Sequence, residues 1–416
     1  MFSSLAHRFR TLGPGLVLAA AGLGAGDVVV ASVTGIRFGT TLLWAVVFTA
    51  ALKFVLTEAL ARWQLATGET VVRAWATRLP RWVSVLFGAY LLFWTFMVGA
   101  SLSSACGLAG ASLFPGLSVP QWGAVHAVLA AALVAANRYT QFQRVMKGLI
   151  AVMALCVFAC AILTKPAVGD VLRGLFVPTL PKSGGGAQVL ALLGGIGGSV
   201  TVICYSYWMR AAAWRGSEKL ATVRGDVRLA YIFTGLFGVA LVVVAAGVHA
   251  GAAGGGRIAI EIADRLQGVA GMGARWVFLA GFWCTVFTAM LGVWQGVPQI
   301  YVDLVGAWRG WPVEGGGDAK TGAGPARALY LSALAFLAFP PLVLLWFKQP
   351  VAVVVTFSIA GAFFMPFLAA TLLYLNNRRD WMGGLANRWL GNVALTTSLL
   401  VFGVVCCSEV WRVVAE

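Results

Sequence analysis

The residues best suited to do chemistry are Asp27 and the alternating glycines before it, in Gly22-Leu23-Gly24-Ala25-Gly26-Asp27. They sit inside an apolar stretch running from about Leu12 to Ile36, long enough to cross a bilayer. A carboxylate at membrane depth costs roughly 2.5–3.5 kcal/mol, and each glycine costs about 1 kcal/mol relative to alanine in a helix interior. A packing helix gains from neither. A helix broken at mid-membrane uses both, because the break frees backbone groups and the carboxylate can face a cavity and hold an ion. The alternative is a glycine-lined close contact between helices, with Asp27 paired elsewhere.

A second interruption of the same kind runs through Gly194-Gly195-Ile196-Gly197-Gly198-Ser199 and on to Ile203-Cys204-Tyr205-Ser206-Tyr207. Its alternative is again a small-residue helix contact. The two breaks together define the candidate substrate site: Gly24, Ala25 and Gly26 from the first, and Ile203, Cys204, Tyr205, Ser206 and Tyr207 from the second. Arg210 is the candidate charge partner. Asp27, with the hydroxyls of Thr285 and Thr288, is the candidate site for a coupling ion or metal.

Composition dictates the elements that position these residues. Of 416 residues, 60% are hydrophobic and 11% charged, and mean hydropathy is +0.88, which implies an all-α polytopic membrane protein. Hydropathy predicts about eleven spans, the first over 13–36 and the sixth over 187–213. The breaks therefore fall in the first members of two five-span units, 13–164 and 187–376, with an extra helix over 389–412. Matched interruptions in two halves are the mark of an inverted-repeat transporter with a midplane site. No stretch outside the spans could bury its own core, so residues 1–416 are read as a single transmembrane domain. The first apolar segment is too long for a cleaved signal peptide.

The net charge of +16 resides in short loops between spans, among them a polar stretch near 210–228, so it is read as topology signal and not as a nucleic-acid surface. Its bias puts the N-terminus in the cytoplasm and the C-terminus outside, in the plasma (inner) membrane. The seven cysteines lie in or beside apolar segments without zinc-type spacing. No nucleophile–base set or His/Glu/Asp grouping occurs within the spans, so an enzyme is not expected. Neither a cofactor nor a protein partner is implied beyond the lipid bilayer, a small-ion substrate and a bound sodium ion. Lys53 is expected to snorkel or pair locally, Glu58 to be interfacial, His126 and His249 to be structural, and Asp303 to lie at the membrane edge.

The first 70 residues resemble the NRAMP family of divalent-metal transporters. The resemblance runs through Gly13-Pro14-Gly15-Leu16, the first break, Gly39-Thr40-Thr41-Leu42-Leu43-Trp44 and Ala61-Arg62-Trp63-Gln64-Leu65-Ala66-Thr67-Gly68. Gly194 to Gly198 before Thr201-Val202, and Val293-Trp294-Gln295-Gly296, fit the family pattern more loosely. The resemblance implies a LeuT-like fold of two inverted five-helix repeats plus an eleventh helix. It also implies a metal site built from an Asp-Pro-Gly-Asn motif in helix one and Met-Pro-His-Asn in helix six. Those motifs fall on Gly24-Ala25-Gly26-Asp27 and Ile203-Cys204-Tyr205-Ser206, so the family's first aspartate and its methionine are replaced. A second family histidine falls near Arg210, and the third span lacks the family's proton-relay acids. The scaffold is kept and the site rewritten.

Three cargoes suit a rewritten site. A hard divalent cation, magnesium or manganese, could use Asp27, hydroxyls and freed carbonyls. A small anion such as bicarbonate could use the N–H groups of Gly24 to Gly26, with sodium held by Asp27, Thr285 and Thr288. A small amino acid could pair its amine with Asp27. Loss of the two strongest metal ligands makes sodium-coupled bicarbonate the first expectation, with the divalent cation as the alternative.

Overall fold

The computed structural model describes residues 13–136, 139–182, 184–246, 248, 258–312, 324–347 and 349–415, and among them every regular element is a helix. Among the described residues nine helices are long and apolar enough to cross a bilayer. A tenth crossing is the pair Pro14–Gly22 and Gly26–Phe38, bent by 51°. The shorter apolar helix Gly185–Gly195 is followed, after a non-helical stretch at 196–200, by Thr201–Ala211, and the two lie where the sixth span is expected. Both expected interruptions are therefore breaks, in the first and sixth spans.

The remaining spans are Leu43–Thr67, Arg81–Leu113, Val119–Ala136, Tyr139–Leu163, Leu220–Ala245, Met272–Trp308, Pro325–Ala338 with its continuation Pro340–Phe347, Pro350–Asn376 and Trp389–Ala415. The fifth span packs on the eighth, and the tenth packs on the third, the exchange of roles that an inverted repeat requires. The second span packs along the seventh. One expectation fails here. The polar stretch near 210–228 is largely helix, because the seventh span begins at Leu220, and its charged residues sit on the first two turns.

Short helices lie between spans at Val71–Thr77, Val168–Phe176 and Ile258–Ala270. Val71–Thr77 is capped by Thr70, whose hydroxyl accepts from the Arg73 N–H. Each break has a local cause. After Gly22 the helix stops and restarts at Gly26–Val30 as a π turn, a form that leaves one carbonyl without its helical partner. In the sixth span Gly197 and Gly198 take φ of +73° and +76°, a left-handed conformation that only glycine adopts without cost.

Candidate functional site

The two breaks cross and touch. A Cβ added at Gly26 would lie 2.8 Å from Gly195 Cα, and one at Gly22 would lie 3.1 Å from the Gly197 carbonyl carbon. One at Gly24 would meet Ala289 Cβ at 2.9 Å. The glycines thus let backbone approach backbone, where the sequence reading had them approach a ligand. The close-contact alternative describes Gly24, Ala25 and Gly26 better than a substrate lining does.

Asp27 lies at this crossing, fully buried. The Gly24 N–H donates to its Oδ2 at 2.9 Å, and the Gly197 N–H donates to its Oδ1 at 3.0 Å. One carboxylate therefore staples its own break and reaches across to the other. Of the backbone donors expected to hold an anion, the Gly24 N–H is already engaged.

Lys53, also fully buried, approaches from the second span. Its Nζ donates to the carbonyls of Gly194 at 3.2 Å, Ile196 and Gly198, which form a crown at the end of half-helix 185–195. Three acceptors match the three N–H donors of an ammonium, so all are used. The crown also satisfies carbonyls that the end of a helix leaves unpaired. Asp27 takes the N–H of Gly197 while Lys53 takes the carbonyls on either side of it, and their opposite charges attract through that turn. Lys53 does not snorkel: its partner comes from the sixth span, not from its own neighbourhood. The signal was present in the sequence as a lysine in the middle of a membrane span, which is a functional position by default.

Further down the same face of the second span, the Thr57 hydroxyl meets Tyr231 OH at 2.9 Å, and Gln64 Nε2 donates to the Ser206 carbonyl at 2.9 Å. On the other side of the break, Gln188 Nε2 donates to Thr34 Oγ1 at 2.7 Å and to the Val30 carbonyl at 3.2 Å, joining half-helix 185–195 to the π turn.

The second-break candidates diverge from the crossing. Tyr205 donates its hydroxyl to Asp226 Oδ2 at 2.9 Å, and the same oxygen accepts from the Gly15 N–H at 2.5 Å. Tyr207 donates to Asp303 Oδ2 at 3.1 Å, an oxygen it shares with the Thr70 hydroxyl. Cys204 packs on the eighth span, where a Cβ at Gly296 would lie 2.7 Å from its Sγ. Ile203 is enclosed in the core, and the Ser206 Oγ is buried without a hydrogen-bond partner. Arg210 stacks over the Tyr207 ring at 5.8 Å, in the last turn of its half-helix and about 15 Å along the axis from the break. It is therefore not placed at the crossing as the expected charge partner of a substrate there.

Thr285 and Thr288 are buried, and their hydroxyls donate to the carbonyls of Gly281, at 2.7 Å, and Cys284. Thr285 shares a face with Ala289 and Gly292, the residues that pack on Gly24 and Ala21. The remaining expectations divide simply. Glu58 pairs with Arg62 at 3.3 Å and Arg224 at 2.8 Å. His126 bonds the Trp122 carbonyl at 2.7 Å and accepts from Trp283 Nε1 at 2.8 Å, a structural role. Asp303 is buried, and His249 lies outside the described residues. Asp226 and Asp303 as tyrosine acceptors were not foreseen; they sit two turns into a helix read as loop, and at a residue read as membrane edge.

Among the described residues no group of three His, Cys, Asp or Glu side chains could hold a metal. What the crossing offers a cation is oxygen: one carboxylate and three carbonyls.

A family model described as natural resistance-associated macrophage protein-like, Nramp, matches residues 15–412. A divalent metal cation transporter, MntH, from Yersinia pestis (strain Pestoides F) is 27% identical over 316 residues, covering 71% of this chain and 75% of that protein. The metal transporter Nramp5 of Oryza sativa subsp. japonica is 25% identical over 227 residues, 53% of this chain, and the match spans only 40% of the rice protein. Among solved structures, a mutant of the Eremococcus coleocola manganese transporter superposes with a TM-score of 0.77 at 14% identity, covering 96% of this chain and 85% of that one. Mhp1, a nucleobase-cation-symport-1 family transporter, superposes with a TM-score of 0.58 at 12% identity, covering 94% of this chain and 91% of that one. These likenesses are of fold, and the fold is LeuT-like. With a matched model running through almost the whole length and both broken spans, the chain is a member of the Nramp family.

Proposed function

We propose that the protein is a secondary-active membrane transporter that carries a hard divalent metal cation, Mg²⁺ or Mn²⁺, by alternating access. Its cargo site is the carboxylate of Asp27 with the carbonyls of Gly194, Ile196 and Gly198. The observation that carries this reading is the crown itself: three carbonyls of the second break already close around a positively charged group beside a buried carboxylate. The Lys53 ammonium stands in for the cargo. Oxygen-only donors favour hard cations, and Cys204, the one soft ligand nearby in sequence, is turned to Gly296. The names of the Yersinia, rice and Eremococcus relatives agree with a metal cargo.

Sodium-coupled bicarbonate, the first expectation from sequence, loses support: of the Gly24 to Gly26 N–H groups it relied on, that of Gly24 is taken by Asp27, and the glycines are closed by packing contacts. The orientation that follows from the charge bias, N-terminus cytoplasmic in the plasma membrane, completes the proposal. Uptake into sealed proteoliposomes tests it. Labelled Mn²⁺, competed by Mg²⁺, should enter the vesicles, and labelled bicarbonate, with or without sodium, should not. Bicarbonate uptake without metal flux would overturn the reading.

A further inference from the structure

We propose that Lys53 is the cation the carrier uses when it has no cargo: its ammonium fills the cargo crown in the unloaded state and lets the unloaded protein change face. The inference rests on the metal reading of the same crown and goes beyond it, to the kinetics of the return step.

Three observations carry it. Lys53 and Asp27 are both completely buried, so the conformation seen here is closed over the site with the ammonium inside it. The ammonium is saturated by three carbonyls, all from the break in the sixth span, with none from its own helix. Every other group around it is uncharged or is Asp27: Thr57 and Tyr231 bond each other, Thr234 packs on Gly197, and Ser358 packs on Gly195. Lys53 therefore supplies the only positive charge at the crossing among the described residues.

A carrier can occlude an ionised buried carboxylate only if the charge is compensated, because an unpaired buried charge is strongly disfavoured. With cargo bound, the metal compensates Asp27. Without cargo, Lys53 does. The lysine stem runs along the face of the second span that also holds Thr57 and Gln64, and four flexible methylenes let the ammonium withdraw when a cargo ion enters the crown. Cargo and Lys53 thus alternate in one set of carbonyls, and the protein can run net transport without a second cargo ion for the return.

The test compares net Mn²⁺ uptake with Mn²⁺–Mn²⁺ exchange in the same proteoliposomes. In the natural protein, loading the lumen with Mn²⁺ should raise labelled uptake less than about twofold, since the unloaded return is not limiting. In Lys53→Met and Lys53→Gln, the ratio of net uptake to exchange should fall by about a hundredfold or more. A double variant, Lys53→Met with Asp27→Asn, should not occlude Mn²⁺ at all, and its behaviour on gel filtration reports whether loss of Lys53 merely unfolds the protein. Strong stimulation of the natural protein by lumenal Mn²⁺ overturns the proposal without recourse to any variant. So does a Lys53→Met ratio equal to that of the natural protein. If neither net uptake nor exchange of Mn²⁺ or Mg²⁺ occurs, the metal reading itself fails, and the failure is recognisable as such.

Discussion

Removing the Asp226 carboxylate should release the half-helix Pro14–Gly22. That half-helix is tied to the seventh span at its very first turn, where the Gly15 N–H donates to Asp226 Oδ2 at 2.5 Å. The same oxygen holds Tyr205 at 2.9 Å, so one carboxylate links the first half of the broken first span to the second half of the broken sixth. A hydrogen bond to a charged acceptor contributes roughly 1.5–3 kcal/mol. Asp226→Ala deletes one such bond to the half-helix, which lowers the free energy of its local opening by that amount. At about 1.4 kcal/mol per tenfold, amide exchange over residues 14–22 should accelerate roughly ten- to 150-fold, while the half-helix 185–195 keeps its protection. Hydrogen exchange with mass-spectrometric readout in detergent or nanodiscs measures this directly. Two further variants sharpen it. Gly15→Ala would place a Cβ 2.6 Å from the Asp226 carboxyl carbon and carbonyl oxygen, so it should produce the same acceleration with the carboxylate present. Tyr205→Phe removes only the tyrosine donor and should leave residues 14–22 within about threefold of the natural rate. If Asp226→Ala changes exchange over 14–22 by less than about threefold, the carboxylate is not a latch and the reasoning fails.

Other outcomes follow from the same geometry. Asp27→Asn keeps an acceptor for one of the Gly24 and Gly197 N–H groups, loses the other and removes the charge, so the protein should remain monodisperse on gel filtration while Mn²⁺ uptake falls about a hundredfold or more. Gly198→Ala forces a side chain into φ +76°, with its Cβ 2.1 Å from Thr201 Oγ1, and should cost at least about 1–3 kcal/mol, read as a lower midpoint in a thermal gel-filtration series. Cys204→Ser should leave the preference for Mn²⁺ over Cd²⁺ in competition uptake unchanged, because the thiol packs against Gly296 and not in the crown; a shift toward loss of Cd²⁺ transport would put sulfur back in the site.

Both breaks, and the carboxylate that joins them, were legible in the sequence because each violates a local rule: glycines and an acid do not belong in an apolar span unless the helix stops there. What local rules cannot supply is the partner. Local spacing makes Lys53 a residue that snorkels or pairs locally, whereas its acceptors lie more than 140 residues on, at Gly194, Ile196 and Gly198. The glycines were ambiguous for the same reason, since what approaches Gly26 is decided by Gly195 in another span. One error was avoidable. Tyr205 and Tyr207 stand two residues apart on a helix, about 200° around the axis, so they cannot both line one pocket; each instead finds its own acid, Asp226 and Asp303. Asp226 itself was hidden by its charged neighbours, which made a helix start read as a loop.

The bond from the Gly24 N–H to Asp27 Oδ2 makes the carboxylate part of the bend as well as part of the site. Any ion that recruits that oxygen loosens the bend, and any agent that fixes the bend changes how freely the oxygen can be recruited. The two events are then thermodynamically reciprocal. An antibody fragment that recognises only the docked form of half-helix 14–22 must alter metal affinity by the same factor by which metal alters its own. Measuring either affinity with and without the other ligand therefore gives the free energy that connects binding to movement.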